Sequence, residues 1–144
     1  MSQIPVLKET YTIMIVEDDL GVATMLETML RGYFKCRTVV ATNGVNAIGL
    51  AYERLPDLIL ADLYLPVLDG FEVIRLLKEH PELHEVPIVA FSNHAWDIDW
   101  TKKAIDAGCN RCSHKQLTVE EMGALLREML EPEESSRSLL QDHG

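Results

Sequence analysis

The sequence predicts a doubly wound α/β fold, (βα)5, in which helices cover both faces of a five-stranded parallel sheet. Short β-branched or apolar runs alternate along the chain with segments of helical periodicity, and this alternation implies right-handed βαβ crossovers. Residues 13–16 and 58–61 are continuously apolar, as expected of strands that are buried on both faces. The chain of 144 residues is 47% hydrophobic, which is enough for the core of one domain.

Five strands and five helices account for most of the chain. The strands are predicted from apolar runs at 12–16, 37–41, 58–61, 87–91 and, more weakly, 109–114. The helices are predicted from apolar stripes within 22–30, 45–52, 73–77, 104–107 and 122–130. Asn43 is the expected N-cap of the second helix, and Thr118 with Glu121 forms a capping box before the fifth helix.

These elements predict one domain over residues 11–130, between an N-terminal extension (1–10) and a flexible acidic tail (131–144). We expect no membrane contact, because no apolar run approaches the roughly 18 residues that cross a bilayer and no signal peptide is recognisable. The formal net charge of -10 repels phosphate backbones, so nucleic acid is not an expected partner. Three cysteines, an odd number, favour reduced thiols and a cytoplasmic location.

Chemically active side chains follow four of the five predicted strands. They are Glu17 and Asp18 after the first strand, Asp62 after the third, Ser92 after the fourth and Lys115 after the fifth. In open α/β sheets, ligands bind beyond the carboxyl ends of the strands, where the strand order reverses. We therefore expect the three carboxylates to converge at this edge of the sheet.

Three converging carboxylates repel one another, and desolvation strengthens the repulsion, so such a site requires protonation or a bound cation. Oxygen-only ligands in a small, open site favour Mg²⁺ over Ca²⁺. The same site suits a phosphoryl group: Lys115 would neutralise its charge, Ser92 would donate a hydrogen bond to it, and Asp62 would be the attacking nucleophile.

Each of these residues also has a simpler structural interpretation. Residues 17–19 are equally typical of a helix N-cap. Asp62 and the pair at 69–70 could be turn residues, Ser92 could cap a helix, and Lys115 could be a surface charge. Their joint placement at successive strand ends favours the functional interpretation, because four independent coincidences would be needed otherwise.

Four stretches resemble the response-regulator receiver domains of two-component signalling, of the single-domain type. They are residues 13–19, 57–70, 87–92 and 108–115, within a resemblance that covers about residues 10–130. The most specific stretch runs from Asp62 through Pro66 to Asp69 and Gly70. The resemblance implies a flavodoxin-like fold with strand order 2-1-3-4-5.

The resemblance also implies a reaction. Asp62 would accept a phosphoryl group from the phosphohistidine of a sensor histidine kinase or phosphotransfer protein, and would thereby become an aspartyl phosphate. Asp18, Asp62 and the backbone carbonyl of Tyr64 would ligate Mg²⁺, with Glu17 acting mainly through water. Tyr64 and His94 occupy the two positions that tune hydrolysis of the acyl phosphate in this family.

Two further residues complete the implied site. Ser92 would bond a phosphoryl oxygen, and Lys115 would pair with the phosphate. Such a domain catalyses its own phosphorylation and dephosphorylation rather than the turnover of a substrate, and it signals to a downstream protein target by protein–protein contacts.

The sequence departs from the family pattern at several positions, two of which lie near the fifth strand. Cys112 stands where an aromatic switch residue is usual, so the usual coupling of a hydroxyl to a ring cannot operate in its familiar form. Gln116 stands where a proline, often after a cis bond, is usual, and a trans bond there would aim Lys115 differently. Glu17 replaces the commoner Asp and keeps its charge.

Two sequence pairs suggest other roles. Cys109 and Cys112 form a C-x-x-C motif, but residues three apart on a strand face opposite sides, so buried thiols are favoured over a redox or zinc site. Trp96 and Trp100 share one face of the fourth helix. They fit core packing and a partner or dimer surface on helix 4, strand 5 and helix 5 equally well.

Other function classes are less well matched. A receiver-like binding scaffold with little phosphorylation-dependent switching is the main alternative. An aspartyl phosphohydrolase of the haloacid-dehalogenase type needs a second Asp two residues after the nucleophile, where this chain has Tyr64. No glycine-rich phosphate loop follows the first strand, which disfavours a nucleotide-binding protein.

Overall fold

The computed structural model describes residues 10–33, 35–65, 69–92 and 97–131. Strands and helices alternate throughout these ranges. They are β1 (Tyr11–Val16), α1 (Leu20–Tyr33), β2 (Cys36–Ala41), α2 (Gly44–Arg54), β3 (Leu58–Asp62), α3 (Gly70–Glu79), β4 (Ile88–Phe91), α4 (Ile98–Ala107), β5 (Arg111–Ser113) and α5 (Val119–Leu130). Every predicted strand and helix is present, with ends that differ by a few residues.

The five strands form one parallel sheet in the order β2-β1-β3-β4-β5, so the predicted fold class and strand order are confirmed. β1 pairs with both β2 and β3, and Val16 at its end lies opposite Ala61 of β3. The chain passes from β1 to β2 in one direction along the sheet, and then crosses back over β1 to β3 and continues in the other direction to β4 and β5. This reversal leaves a crevice beyond the carboxyl ends of β1 and β3.

Each face of the sheet carries its own core layer. Met14 and Val16 pack towards α2, α3 and α4, whereas Ile13 and Ile15 pack towards α1 and α5. Successive side chains of a strand point to opposite faces, so one short apolar run contributes to both layers. All four residues are 0–1% exposed, and each contributes roughly 1.5–3 kcal/mol of hydrophobic stabilisation.

Side-chain caps fix where the helices begin. The Asn43 side chain accepts a hydrogen bond from the backbone N–H of Asn46 at 2.8 Å, as predicted. Thr118 and Glu121 form the predicted reciprocal capping box at α5, with distances of 2.9 and 3.1 Å. Asp97 caps α4 by accepting hydrogen bonds from two backbone N–H groups of its first turn.

Trp100 belongs to the core, so its proposed part in a partner or dimer surface is wrong. The residue is only 6% exposed, and its ring meets the edge of Phe71 with centroids 6.3 Å apart. It shares the buried face of α4 with Ala104 and Ala107, at the i, i+4 and i+7 positions of one apolar stripe. Ile105, expected in that stripe, is instead 46% exposed. Trp96 lies outside the described residues.

The two cysteines of the C-x-x-C motif do not face opposite sides of the sheet. Cys109 precedes β5, so strand alternation does not apply to it, and both thiols pack against the core layer of α2, α3 and α4. Both are free, as is Cys36. Burial raises the pKa of Cys109 to about 12 and also raises that of Cys112, so both remain protonated thiols at neutral pH.

Candidate functional site

Three carboxylates meet beyond the ends of β1 and β3. Glu17 and Asp18 directly follow β1, and Asp62 is the last residue of β3. One carboxylate oxygen from each lies within 4.8 Å of the others. The convergence expected from the strand ends is therefore present, and it follows from the parallel pairing of β1 with β3.

Lys115 bridges the two buried carboxylates of this group. Its Nζ lies 2.8 Å from Oδ2 of Asp62 and 3.0 Å from Oε1 of Glu17. Glu17 is 2% exposed and Asp62 is 6% exposed, whereas Asp18 is exposed. The ammonium group thus reaches the site from the connection between β5 and α5, as predicted.

Burial sets the electrostatics of these groups. Burial raises the pKa of Glu17, and its hydrogen bonds to Lys115 and to the Asp19 N–H only partly oppose this effect. Burial alone would lower the pKa of Lys115, but hydrogen bonds to Asp62 and Glu17 outweigh it, so its pKa is raised. The ammonium is therefore charged at neutral pH, and one positive charge faces three carboxylates.

The backbone holds the Asp62 side chain in place. Its Oδ1 accepts a hydrogen bond from the backbone N–H of Tyr64 at 2.9 Å, while Oδ2 accepts one from Lys115. The Tyr64 side chain is 55% exposed. Ser92 is buried immediately after β4, where its N–H donates to the carbonyl of Ser113 at 3.0 Å. Asp62 is paired with Phe91, the residue before Ser92, so the hydroxyl belongs to the neighbouring strand end.

Residues 17–19 provide both a helix N-cap and part of the acidic site, but through different residues. Asp19 is the helix cap: its Oδ1 accepts hydrogen bonds from the N–H groups of Gly21 and Val22 at 2.9 and 3.2 Å. Glu17 and Asp18 instead join the acidic site. The sequence signal for this division is positional, because an N-cap stands directly before its helix.

The role of Asp69 and Gly70 was missed from the sequence, where the pair was read as a turn. Asp69 caps α3 by accepting a hydrogen bond from the N–H of Phe71 at 2.9 Å. A Cβ at Gly70 would lie 2.5 Å from both Cα and the carbonyl oxygen of Leu63. Glycine is therefore required where α3 touches the residue after Asp62. An acidic residue directly before a helical stripe is the signal that could have revealed the cap.

Two other expectations concern the β5–α5 connection and the loops. The described residues contain no cis peptide bond, so the bond before Gln116 is trans, yet Lys115 still reaches Asp62. The trans bond therefore does not prevent Lys115 from reaching the site. Pro66 and His94 lie outside the described residues.

The donor set fits a hard divalent cation. All three candidate side chains offer carboxylate oxygens, which Mg²⁺ prefers, and no sulfur or imidazole is among them. The exposed Asp18 leaves one side open, which suits an ion that retains waters. Since Lys115 supplies a single positive charge, it cannot balance three ionised carboxylates by itself.

Comparisons with known proteins agree with this fold. The sequence profile of the response regulator receiver domain matches residues 13–127. The polar-differentiation response regulator DivK of Brucella anthropi is 34% identical over 110 residues, which is 75% of this chain and 86% of that protein. DivK of Brucella abortus is 34% identical over 112 residues, 76% of this chain and 88% of that protein.

Solved structures show the same similarity in three dimensions. The receiver domain of sensor histidine kinase PA1611 from Pseudomonas aeruginosa, solved with a magnesium ion coordinated in its active-site cleft, has a TM-score of 0.77 and 30% identity, covering 84% of this chain and 98% of that one. The receiver domain of a DNA-binding response regulator from Colwellia psychrerythraea has a TM-score of 0.77 and 25% identity over 84% of this chain and 98% of that one.

Proposed function

The chain belongs to the response regulator receiver domain family, and from that premise we propose that it is a stand-alone response regulator phosphorylated on Asp62. The donor is the phosphohistidine of a sensor histidine kinase or of a phosphotransfer protein. The observation that carries the proposal is the bridge from Lys115 to Asp62 and Glu17 beside the exposed Asp18. Receiver domains are signalling proteins rather than turnover enzymes, and this chain is proposed to act in the same way.

Asp62 is the proposed nucleophile because both of its oxygens are held at a defined edge of the sheet. One carboxylate oxygen attacks phosphorus, the bond from phosphorus to the histidine nitrogen of the donor breaks, and that nitrogen keeps the electron pair. Fixing the attacking group in advance lowers the entropy cost of the transfer. The product is an acyl phosphate on Asp62.

The charges around Asp62 are the proposed means of stabilising the transfer. Lys115 would pair with phosphoryl oxygens, as its present bond to Asp62 places its ammonium at the site. The Ser92 hydroxyl, one residue beyond β4, would donate a hydrogen bond to another phosphoryl oxygen. Asp18, Asp62, the Tyr64 carbonyl and, through water, Glu17 would hold Mg²⁺. A bound ion would supply positive charge beside the phosphoryl oxygens.

The decisive experiment uses a small donor and therefore needs no kinase. Incubation with Mg²⁺ and acetyl phosphate, followed by intact-protein mass spectrometry, should show one phosphoryl adduct. Asp62→Asn should abolish the adduct, and chelation of Mg²⁺ should suppress it. Asp19→Asn is the matched control: it removes a neighbouring carboxylate but keeps an N-cap residue, so its labelling should equal that of the wild type. Failure of the wild type to label at saturating donor would contradict the proposal.

The alternative is a receiver-like scaffold that binds partners without phosphorylation-dependent switching. It is favoured by one observation: Cys112 places a small thiol, not an aromatic ring, at the usual switch position. The two functions differ in a measurable way. A scaffold binds its target equally well whether or not Asp62 carries a phosphoryl group, whereas a regulator shows a difference that Asp62→Asn removes.

Partners and location follow from the same proposal. We place the protein in the cytoplasm, in line with three free thiols, and we take residues 11–130 as the receiver domain. Among the described residues, no helix is both long and apolar enough to span a membrane. The downstream target is proposed to be a protein rather than a nucleic acid. Ile98 and Ile105, which are exposed on α4, are proposed as contact candidates in place of Trp100.

A further inference from the structure

Trp100 carries a buried indole N–H with no hydrogen-bond acceptor among the residues that the structure describes. The residue is only 6% exposed, so water does not take the place of the missing acceptor. Buried donors are almost always paired, because an unpaired one loses its bond to water without compensation. The observed position of the ring is therefore one that a rearrangement at α4 could improve.

A continuous series of contacts links Asp62 to this indole. Leu63 directly follows Asp62, and its backbone is so close to Gly70 that a Cβ there would lie 2.5 Å from the Leu63 Cα. Phe71 follows Gly70, and its ring meets the indole of Trp100 at a 68° angle with centroids 6.3 Å apart. A shift of the segment after Asp62 can therefore reach α4 through the backbone contact of Leu63 with Gly70 and the ring contact of Phe71 with Trp100.

A groove beside the Trp100 indole offers space for a second position of that ring. A groove of about 460 Å³ separates the segment after Asp62 from α4, and the indole forms part of its wall. The residues that line it are Leu63, Tyr64, Leu65, Asp69, Phe71, Trp100 and Lys103. The groove provides space on this side for a different rotamer of the ring.

The β5 side offers no comparable connection. The Sγ of Cys112 lies 4.0 Å from the carbonyl oxygen of Thr101 in α4. A thiol is too small to push on the helix by changing its rotamer. On the other side, Phe71 contacts α4 through two side chains: the ring of Trp100 and the ammonium of Lys103, which lies 4.6 Å from the Phe71 ring centroid. Of these two, only Trp100 is buried.

We propose that Trp100 relays phosphorylation of Asp62 to helix α4, by moving its indole out of the unpaired position described above. The proposal rests on the proposed phosphorylation and adds the route of the signal. Trp100 is a switch residue in this scheme and touches neither the metal nor the phosphoryl group.

The indole itself reports the movement. The chain has two tryptophans, so Trp96→Phe leaves Trp100 as the only source of an indole resonance. In ¹⁵N-labelled protein with Mg²⁺ and acetyl phosphate, a second Nε1–H resonance should appear, with an intensity that follows the phosphorylated fraction measured by mass. Asp62→Asn should show one unchanged resonance. A resonance that keeps its unphosphorylated position at full phosphorylation would overturn the relay. Absence of any adduct would instead overturn the proposed function.

Hydrogen exchange then tests whether α4 depends on the ring. In the wild type, phosphorylation should change amide exchange in Ile98–Ala107 severalfold. Trp100→Phe should lose that change while forming the adduct at the wild-type rate, and Cys112→Ala should keep it. A full response in Trp100→Phe, or loss of the response in Cys112→Ala, contradicts the relay. The resonance experiment needs no substitution at Trp100, so it decides the matter even if Trp100→Phe folds poorly.

Discussion

Replacing Gly70 by alanine should both destabilise the protein and disturb its phosphorylation. The added Cβ would lie 2.5 Å from Cα and from the carbonyl oxygen of Leu63, where ordinary contacts are 3.4–4 Å. The two backbones must therefore separate by about 1 Å, since neither atom belongs to a flexible side chain. Overpacking of this kind costs about 1–3 kcal/mol. Because Leu63 follows Asp62, the shift also strains the hydrogen bond from the Tyr64 N–H to Asp62.

Gly49→Ala is the matched control for this substitution. It changes the same residue type inside helix α2, at a position where a Cβ would have no neighbour within 4 Å. Alanine should stabilise an exposed helical site of this kind by about 0.5–1 kcal/mol. Urea unfolding with unchanged m-values should therefore move the two midpoints in opposite directions, and only Gly70→Ala should slow labelling by acetyl phosphate. Equal midpoints for Gly70→Ala and the wild type would refute the steric argument.

Three further substitutions test separate features. Glu17→Gln should raise the thermal midpoint in EDTA, because burial raises the pKa of Glu17 and its ionised form therefore costs stability at pH values above its ordinary 4.5. The increase in thermal midpoint on adding Mg²⁺ should be smaller in this variant than in the wild type. An equal increase would count against a role of Glu17 in holding the metal. Leu55→Asn should stabilise by about 0.5 kcal/mol in urea unfolding, since Leu55 has a left-handed φ of 47° that Asn tolerates better. Glu121→Gln should make the free energy of unfolding less dependent on pH in the acid range. Hydrogen bonds to Thr118 lower the pKa of Glu121, so its stabilising contribution is present above pH 4.5 and is lost as the pH falls below that value. An acid unfolding curve with the same pH dependence as the wild type would contradict this.

The acidic site was predictable because it depends on topology more than on detail. Once five strands alternate with helices, the ends of β1, β3 and β5 must share one edge. Glu17, Asp62 and Lys115 stand at those ends whatever the exact strand limits are. Errors of one or two residues in the element ends therefore left the predicted convergence intact.

What could not be predicted depends on side-chain direction and close approach. The spacing of Trp96 and Trp100 predicts that both lie on one face of a helix, but it does not show whether that face is buried. The apolar stripe that continues from Trp100 to Ala104 and Ala107 indicates that the face of Trp100 is buried. The thiol of Cys109 was misplaced because β5 begins only at Arg111. The contact of Gly70 with Leu63 is a backbone distance, and no side-chain pattern in a sequence encodes it directly.

The charge balance of the site gives a reason for the proposed dependence on Mg²⁺. Glu17, Asp18 and Asp62, when ionised, exceed the single ammonium of Lys115 by two negative charges. A phosphoryl group carries negative charge of its own, and two unit charges 4 Å apart repel by about 4 kcal/mol at the effective dielectric constant of a protein surface. Each such pair would slow transfer by roughly three orders of magnitude if nothing opposed it. A divalent cation cancels the excess. When the Mg²⁺ concentration is lowered, the rate of Asp62 labelling should therefore decrease far more steeply than the stability of the fold.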